Sequence, residues 1–302
     1  MILILGGSGY VGSFIVEYLD HCKIPYKAPG RVELDYYNPF ELFDFIDSRF
    51  DFVINAAGYT GKPNVAACEK EKYECYRANV VLPEIISTAT KTAGVHWGHI
   101  SSGCLYNGHE KVFDETDPPN FSFESNNSSW YSGTKAHGER VITENCYVWR
   151  IRMPISIREG SRNYLDKILN YQQQVVAENS ITWIEEFIAN LPIFWEYDIE
   201  PGVYNMVNTG SITAPEVLAI AESHSYVNSP KWMSVDEFNK FVDVPRSNCV
   251  ISNEKSINAG VKWTDVSKAV DLCFANRSQP NEIIDYRSLG LHWEQLSALL
   301  GG

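Results

Sequence analysis

The stretch MILILGGSGYVG, residues 1–12, decides the fold. Its first part, Met1–Leu5, is a continuous apolar run, as expected of a strand that is buried on both faces of a parallel sheet. Gly6, Gly9 and Gly12 stand three residues apart, and the run that follows them predicts a helix. Glycines in this place let the backbone turn tightly and approach a pyrophosphate at the helix N-terminus. The order strand, glycine loop and helix favours a dinucleotide-binding unit over a purely structural turn.

Strands and helices continue to alternate after this unit. Strands are predicted at 1–5, 26–29, 51–55, 95–101 and 146–151, and helices at 14–19, 40–46, 76–93 (kinked near Pro83) and 130–145. Such alternation is typical of parallel βαβ units with right-handed crossovers. We therefore predict an α/β fold with a doubly wound, parallel Rossmann-type sheet over residues 1–155. A strand near 203–208 returns to it, and a smaller α-rich C-terminal lobe, 156–302, interleaves with it and binds the substrate.

Bulk composition narrows the class of protein. The 302 residues are 44% hydrophobic and 21% charged, which suits a globular chain with a full core. A net charge of −13 argues against nonspecific nucleic-acid binding. We find no apolar run of the roughly 20 residues that a membrane span needs, and no secretory signal. The seven cysteines are scattered without a C-x-x-C pair, so we expect free thiols in a reducing, cytoplasmic compartment and no metal site.

A tyrosine and a lysine stand four residues apart in YSGTK, residues 131–135. On a helix, Tyr131 and Lys135 share one face, and a nearby ammonium would lower the pKa of the phenol. Such a pair suits proton transfer in alcohol–ketone chemistry. Taken alone, the pair is a weak signal, because many helices carry Tyr and Lys four residues apart as an ordinary surface pair.

Several motifs together resemble the extended short-chain dehydrogenase/reductases. The resemblance narrows to the plant UDP-4-keto-6-deoxyglucose 3,5-epimerase/4-reductases, which form UDP-L-rhamnose, and is more distant to dTDP-4-keto-rhamnose reductases and GDP-fucose synthases. The motifs that carry it are the glycine loop, Ser102, YSGTK, NAAGYTGKPNV (55–65), PPNF (118–121), RMPIS (152–156), RNYLDKI (162–168) and PRSN (245–248). SSGC at 101–104 departs from the plant A-T-G-C and is similar to the S-S-T-C of GDP-fucose synthases. The segment 106–120 also differs from the plant pattern, which indicates a different loop on the substrate side.

The resemblance implies a bifunctional enzyme, a cofactor and a substrate class. It would act on UDP- or dTDP-4-keto-6-deoxyglucose, epimerising C3 and C5 before NADPH reduces C4, and we expect a homodimer. Epimerisation comes first because only the ketone acidifies the neighbouring C–H groups. Two alternatives stay open: a 4-ketosugar reductase without epimerase activity, and a noncatalytic NADP-binding regulatory subunit.

Individual roles follow from the matched positions. The predicted catalytic residues are Ser102, Cys104, Tyr131, Lys135 and Lys167, with Cys104 as the base and Lys167 as the acid of epimerisation. The predicted cofactor-binding residues are Gly6, Ser8, Gly9, Tyr10, Val11, Gly12, Arg31, Asn55, Ala56, Ala57, Gly58 and Asn79, with Tyr131 and Lys135. The predicted substrate-binding residues are Thr60, Lys62, Asn163, Trp183, Arg246 and Asn248.

Several of these side chains have an ordinary structural alternative. A free cysteine such as Cys104 is most often a small buried hydrophobe, and Lys167 alone would be a surface lysine. Arg31 follows the second strand, where an arginine can meet the 2′-phosphate of NADPH, but it also suits a solvated loop and Asp35 lies close in sequence. Asn79 either holds the loop beside the cofactor through its amide or is a buried polar group.

Overall fold

The computed structural model describes residues 1–125, 128–279, 282–286 and 289, so the predicted lobe beyond 289 lies outside the described residues. The chain forms two compact units. The first consists of Met1–Leu105, Pro118–Arg150 and Ile193–Tyr204, and the second of Tyr106–Asp117, Ile151–Pro192 and the chain from Asn205 onward. The chain thus enters the second unit as early as Tyr106, within the range that the sequence assigns to the first domain.

A six-stranded sheet forms the centre of the first unit. Its strands are β1 (Ile2–Leu5), β2 (Tyr26–Lys27), β3 (Phe52–Asn55), β4 (His96–Ser102), β6 (Cys146–Ile151) and β9 (Gly202–Asn205). They lie in the order β2-β1-β3-β4-β6-β9, and the pairs β1–β2, β1–β3 and β3–β4 are parallel. The predicted Rossmann-type α/β sheet is confirmed, and the outer strand β9 lies where the sequence predicts a returning strand.

The helices of this unit connect the strands. They are α1 (Tyr10–Cys22), α2 (Pro39–Phe45), α3 (Lys72–Tyr76), α4 (Leu82–Ala93), α5 (Trp130–Arg140) and α8 (Ile193–Glu196), with 3₁₀ turns at Val65–Glu69 and Gly103–Leu105. A π-helical turn, Arg77–Val81, joins α3 to α4, so the irregularity predicted near Pro83 lies in the turn before it. Such turns often occur at functional sites.

Helix α5 ends five residues before the predicted end at 145. Ile142 packs against the hydrophobic core beside the sheet, and the Thr143 backbone N–H bonds to the Ser87 hydroxyl at 3.1 Å. These two contacts take the chain out of the helical path, which the sequence pattern alone does not reveal.

Large aromatic side chains fill the core beside the sheet. Trp97 and Trp149 are fully buried, and Phe52 stacks against Trp149 with ring centroids 6.3 Å apart. Gly98 makes room for this packing, because a Cβ atom there would lie 1.9 Å from the Trp149 ring.

The second unit combines short strands and helices. Its strands are β5 (Gly108–Phe113), β7 (Gln173–Val175), β8 (Glu178–Asn179), β10 (Ile212–Thr213), β11 (Lys231–Met233) and β12 (Cys249–Ile251). They pair as β5–β12, β7–β11 and β8–β10. Its helices are α6 (Tyr164–Asn170), α7 (Ile184–Asn190), α9 (Ala214–Ser223), α10 (Val235–Asn239), α11 (Glu254–Asn258) and α12 (Val266–Ala275). Among the described residues, no helix combines the length and apolarity needed to cross a membrane.

Candidate active site

The glycine loop between β1 and α1 leaves the start of the helix open. Gly6 has φ +83°, and a Cβ atom on it would lie 2.5 Å from the Ala57 backbone nitrogen, so only glycine fits here. Gly9 is the residue before α1. No side chain caps the start of this helix, and the first turn of α1 contains no acidic residue. Uncapped N–H groups at the positive end of a helix dipole suit a diphosphate. This end of the sheet therefore fits the dinucleotide that the sequence predicts.

Two buried side-chain amides hydrogen bond to the backbone of the loop after β3. Asn55 accepts the Ala57 N–H at 3.0 Å and donates to His99 Nδ1 at 3.0 Å. Asn79 accepts the Tyr59 N–H and donates to the Tyr59 carbonyl, both at 2.9 Å. Because both side chains are fully buried, they position the backbone of this loop rather than touch a ligand themselves. The cofactor-binding role of Asn55 stays a prediction.

The Asn79 amide also belongs to a buried thiol cluster. It donates to Thr134 Oγ1 at 3.2 Å and to Cys75 Sγ at 3.4 Å. Cys75 also hydrogen bonds with Cys68, and this bond, together with those from Thr134 and Asn79, lowers the pKa of the Cys75 thiol to about 7 despite its burial. The sequence analysis did not identify Thr134, although it lies inside the YSGTK motif, and no sequence signal pointed to Cys75.

Four of the predicted catalytic residues come together in the first unit. Ser102 ends β4, and its hydroxyl accepts the Cys104 N–H at 3.2 Å and hydrogen bonds with the Tyr131 phenol. The half-buried Cys104 packs against Tyr131, which is itself buried. A hydroxyl, a thiol and a phenol thus share one small region.

The environment of Tyr131 differs from the prediction. Burial, together with the nearby Cys104 thiol, raises the pKa of the phenol above its usual range, although the hydrogen bond with Ser102 acts in the opposite direction. The Lys135 ammonium donates to the Ile100 carbonyl at 2.9 Å. Burial lowers the pKa of Lys135 to about 8, and the Glu139 carboxylate partly offsets this. The expected net lowering of the Tyr131 pKa is therefore wrong for this structure, since burial is the largest effect on the phenol.

A buried ion pair lies one helical turn beyond Lys135. The Glu139 carboxylate accepts from Arg150 Nη2 at 2.6 Å and from the Ser101 hydroxyl. Both charged side chains are almost fully buried, at 5% and 8% exposure for Arg150 and Glu139. The sequence analysis did not include Glu139, although its spacing of four residues from Lys135 was a usable signal.

The remaining predicted cofactor and loop residues lie on accessible backbone of the first unit. Ser8, Gly58, Arg31 and Lys62 are exposed, and the half-buried members are Tyr10, Val11, Ala56, Ala57 and Thr60. Gly12 is buried at the start of α1. The described residues contain no cluster of three or more metal-ligating side chains.

Three predicted residues of the second unit carry charge or polar groups at half-buried positions. Lys167 lies on α6, and burial lowers its pKa, helped by the positive charges of Arg162 and Arg246. Arg246 and Asn248 are half-buried, just before β12. Three cations that influence one another suit an anionic ligand.

Two of the predicted substrate-binding residues are fully buried. Asn163 is fully buried, caps α6 by accepting the Leu165 N–H at 3.0 Å, and donates to the Ser156 and Arg158 carbonyls. Its amide is thus used in fixing the helix that carries Lys167. Trp183 is also fully buried, so it is a core residue of the second unit.

Comparison with known proteins finds sugar-nucleotide enzymes of Arabidopsis thaliana among the relatives of this chain. An Arabidopsis thaliana bifunctional dTDP-4-dehydrorhamnose 3,5-epimerase/dTDP-4-dehydrorhamnose reductase is 32% identical over 262 residues, which are 82% of this chain and 83% of that protein. A trifunctional Arabidopsis UDP-glucose 4,6-dehydratase/UDP-4-keto-6-deoxy-D-glucose 3,5-epimerase/UDP-4-keto-L-rhamnose-reductase is 33% identical over 263 residues, 82% of this chain. The chain spans only 37% of the length of that relative.

Solved structures share the fold. The L780 UDP-rhamnose synthase of Acanthamoeba polyphaga mimivirus matches with a TM-score of 0.81 at 22% identity, covering 91% of this chain and 98% of that one. The dTDP-4-dehydrorhamnose reductase of Bacillus anthracis, in complex with NADP, matches with a TM-score of 0.73 at 17% identity, covering 91% and 97%. At these identities the likeness shows the fold alone.

A family model covers the glycine loop, the catalytic cluster and the start of the second unit. This model, described as the RmlD substrate binding domain, matches residues 1–185. With the 32% identity over most of the bifunctional plant enzyme, it confirms the resemblance drawn from the motifs. The chain belongs to the RmlD substrate-binding-domain family, together with these plant dehydrorhamnose reductases.

Proposed function

We propose that this protein is a bifunctional enzyme that converts a nucleotide-linked 4-keto-6-deoxyglucose into the corresponding L-rhamnose sugar, by 3,5-epimerisation and then reduction with NADPH at C4. One observation carries the proposal: Ser102, Cys104 and Tyr131 contact one another in a single cluster, with Lys135 one turn away on the same helix. The set contains both the groups that ketone reduction needs and a candidate base for epimerisation.

The reduction uses the protonated phenol of Tyr131. When bound, NADPH supplies the hydride. Because burial raises the pKa of Tyr131, the phenol keeps its proton at neutral pH and is available to donate it to the sugar oxygen at C4. The Ser102 hydroxyl, which bonds with the same phenol, stabilises the negative charge that develops on that oxygen.

The cofactor assignment is supported by the glycine loop and by the solved relatives. The uncapped start of α1 provides N–H groups for a diphosphate, and Asn79 fixes the neighbouring loop. The Bacillus anthracis reductase of the same fold was solved with NADP. These features favour NADPH in the first unit.

Epimerisation is assigned to Cys104 and Lys167. The C4 ketone acidifies the hydrogens on C3 and C5, so a base and an acid can invert both centres through an enolate. The lowered pKa of Lys167 makes its ammonium a stronger acid than a free lysine. The plant relatives, whose names include a 3,5-epimerase activity, support this assignment. Their names give both UDP and dTDP, so we propose either nucleotide on the substrate, and a homodimer and a cytoplasmic location stay predictions.

The reductase assignment is tested with the chain and both 4-keto-L-rhamnose nucleotides, the already epimerised substrates. We expect NADPH oxidation by the wild type and a loss of 10²–10⁴-fold in Tyr131→Phe, since the proton donor at C4 is removed. Tyr73→Phe, an exposed tyrosine at 71%, is the matched control and should retain full activity. A Tyr131→Phe variant within a few-fold of the wild type would contradict the assignment.

The epimerase assignment is tested by solvent deuterium exchange at C3 and C5 of the 4-keto-6-deoxyglucose nucleotides, without NADPH and with NMR detection. We expect exchange at both carbons in the wild type, and its loss at one or both in Cys104→Ser and Lys167→Met. Cys22→Ser and Lys240→Met, which alter residues of the same types, should exchange normally.

The same two assays separate the alternatives. A chain that reduces the epimerised ketosugar but exchanges no deuterium is a reductase alone. A chain that binds NADPH and performs neither reaction is a noncatalytic subunit. The joint presence of Ser102, Tyr131 and Lys135 disfavours that role, since binding alone does not need them.

A further inference from the structure

Two arginines of the first unit converge on one tyrosine that the proposed mechanism does not use. The Arg77 guanidinium lies 3.9 Å from the centroid of the Tyr37 ring. Both Arg77 and Arg31 act electrostatically on the Tyr37 phenol, each lowering its pKa against the larger effect of burial. Arg77 begins the π-helical turn that also contains Asn79, whereas Arg31 lies in the loop beyond β2. Arg77 thus contacts the Tyr37 ring, and Arg31, from a different part of the chain, is close enough to act on its phenol electrostatically.

Neither guanidinium has an ion pair or a hydrogen bond within the described part of the chain. Other arginines of the unit do have carboxylate partners: Arg49 pairs with Asp47, Arg140 with Glu124 and Arg150 with Glu139. The two arginines at Tyr37 are thus available to an external anion, for which a guanidinium offers a bidentate fork.

The acidic groups around this corner are mostly engaged elsewhere. Glu33 accepts the Gly30 N–H at 2.7 Å, and Asp35 accepts the Tyr37 N–H at 3.0 Å. Glu74 is the other carboxylate whose charge acts on Tyr37, and it is exposed. Asp35 and Glu74 therefore share this corner with the two arginines, but among the described residues neither carboxylate forms an ion pair with Arg31 or Arg77.

The corner adjoins the glycine loop. The neighbouring residue, Tyr36, is buried, and its hydroxyl accepts the Gly6 N–H at 3.5 Å and donates to the Pro29 carbonyl. Tyr37 consequently lies beside the loop, beyond the end of β2. In a doubly wound sheet, the adenosine half of a dinucleotide extends from the glycine loop toward this strand.

We infer that Arg77 is a second specificity-determining arginine for NADPH, which binds the 2′-phosphate together with Arg31, and that Tyr37 positions it by stacking under its guanidinium. This inference rests on the proposed use of NADPH. It assigns a ligand to Arg77, which has no role in the site described above, and a positioning function to Tyr37.

The test compares the dissociation constants of NADPH and NADH, measured by fluorescence titration of the full chain. Because a hydrogen bond to a charged group contributes about 1.5–3 kcal/mol, we expect Arg77→Gln to weaken NADPH binding by roughly 10- to 100-fold. NADH, which lacks the phosphate, should bind as before. Arg49→Gln, which removes an arginine that lies 5.8 Å from the centroid of Phe50, is the matched control and should change neither constant.

Tyr37 is tested by a pair of substitutions. Tyr37→Phe keeps the ring and should keep the preference for NADPH, whereas Tyr37→Leu should reduce it in the same direction as Arg77→Gln. If each Tyr37 variant changed the dissociation constants of NADPH and NADH by the same factor, the positioning function would be overturned.

The inference and the proposed cofactor fail in different ways. If Arg31→Gln removes the preference for NADPH and Arg77→Gln does not, the inference is overturned while the cofactor assignment stands. If the wild type binds NADH as tightly as NADPH, both fall. Turnover of the ketosugar with either nucleotide still tests the reductase itself.

Discussion

Replacing the buried Lys135, for which we propose a catalytic role, by methionine should stabilise the fold while it abolishes the proposed reduction. Lys135 is 5% exposed, and burial lowers its pKa from 10.5 to about 8. A shift of this size corresponds to about 3 kcal/mol of destabilisation at neutral pH, since each pKa unit corresponds to about 1.4 kcal/mol. Methionine has a similar length and no charge. Its cost is the lost hydrogen bond to the Ile100 carbonyl, about 1–2 kcal/mol.

The expected net gain for Lys135→Met is therefore about 1–2 kcal/mol at pH 7, or a rise in Tm of about 2–3 °C for a chain of this length. The gain should depend on pH. Below the folded-state pKa of about 8, Lys135 is protonated in both the folded and the unfolded wild type, and its full destabilising effect is present. Between that value and 10.5, the unfolded chain binds more protons than the folded one, so the wild type becomes more stable as the pH rises. The difference in the free energy of unfolding between Lys135→Met and the wild type should therefore become smaller over this pH range.

The assay is thermal unfolding of the cofactor-free protein at pH 7 and at about pH 9.5, with NADPH oxidation measured in parallel. Lys91→Met is the control, because that side chain is 53% exposed and forms a surface pair with Glu144. Surface pairs contribute about 0–1 kcal/mol, so this variant should show little change at either pH. A Lys135→Met protein that is clearly less stable than the wild type at pH 7, or a difference independent of pH, would refute the reasoning.

Three further predictions concern the first unit. Gly98→Ala should destabilise it by about 1–3 kcal/mol or more in urea unfolding, because the new Cβ would meet the Trp149 ring at 1.9 Å; an unchanged midpoint would disprove this packing. Glu139→Gln should cost about 3–5 kcal/mol by leaving Arg150 buried without its partner, and Glu139→Gln/Arg150→Met should recover much of that loss in the same assay. Asn79→Ala should lower the free energy of unfolding by about 1–3 kcal/mol and weaken NADPH binding, because the Asn79 amide bonds to the Tyr59 N–H and carbonyl and so fixes this loop. An unchanged dissociation constant for NADPH would contradict the second part.

The elements of the first unit could be predicted from the sequence because each depends on residues that lie close together in the chain. An apolar run, a glycine loop and a helix occur within 22 residues, and β1, α1 and β6 lie close to where the sequence predicts them. The placement of the predicted catalytic residues was also encoded locally, since Tyr131 and Lys135 are one helical turn apart and Ser102 ends a strand. Short-range spacing directly encodes such arrangements.

Long-range contacts account for what the sequence did not reveal. Residues 108–113 form β5, which pairs with β12 in the second unit about 140 residues later, and nothing local distinguishes them from a loop. Burial cannot be read from spacing either: Trp183 and Asn163 carry groups suited to a sugar, yet both side chains are fully buried. The sign of the Tyr131 pKa shift also depended on burial, which the pair spacing does not contain.

The two pKa shifts in the catalytic cluster together set a direction for proton transfer. Burial raises the pKa of Tyr131 above its usual range and lowers that of Lys135 to about 8, so the ammonium is the stronger acid. Once the phenol has given its proton to the sugar oxygen, its return from Lys135 is energetically downhill. Glu139 matters here because its charge opposes the lowering and keeps Lys135 protonated near neutral pH. The Glu139 carboxylate, which the ion pair with Arg150 holds in place, would thus help to keep a proton on Lys135 for the proposed reduction.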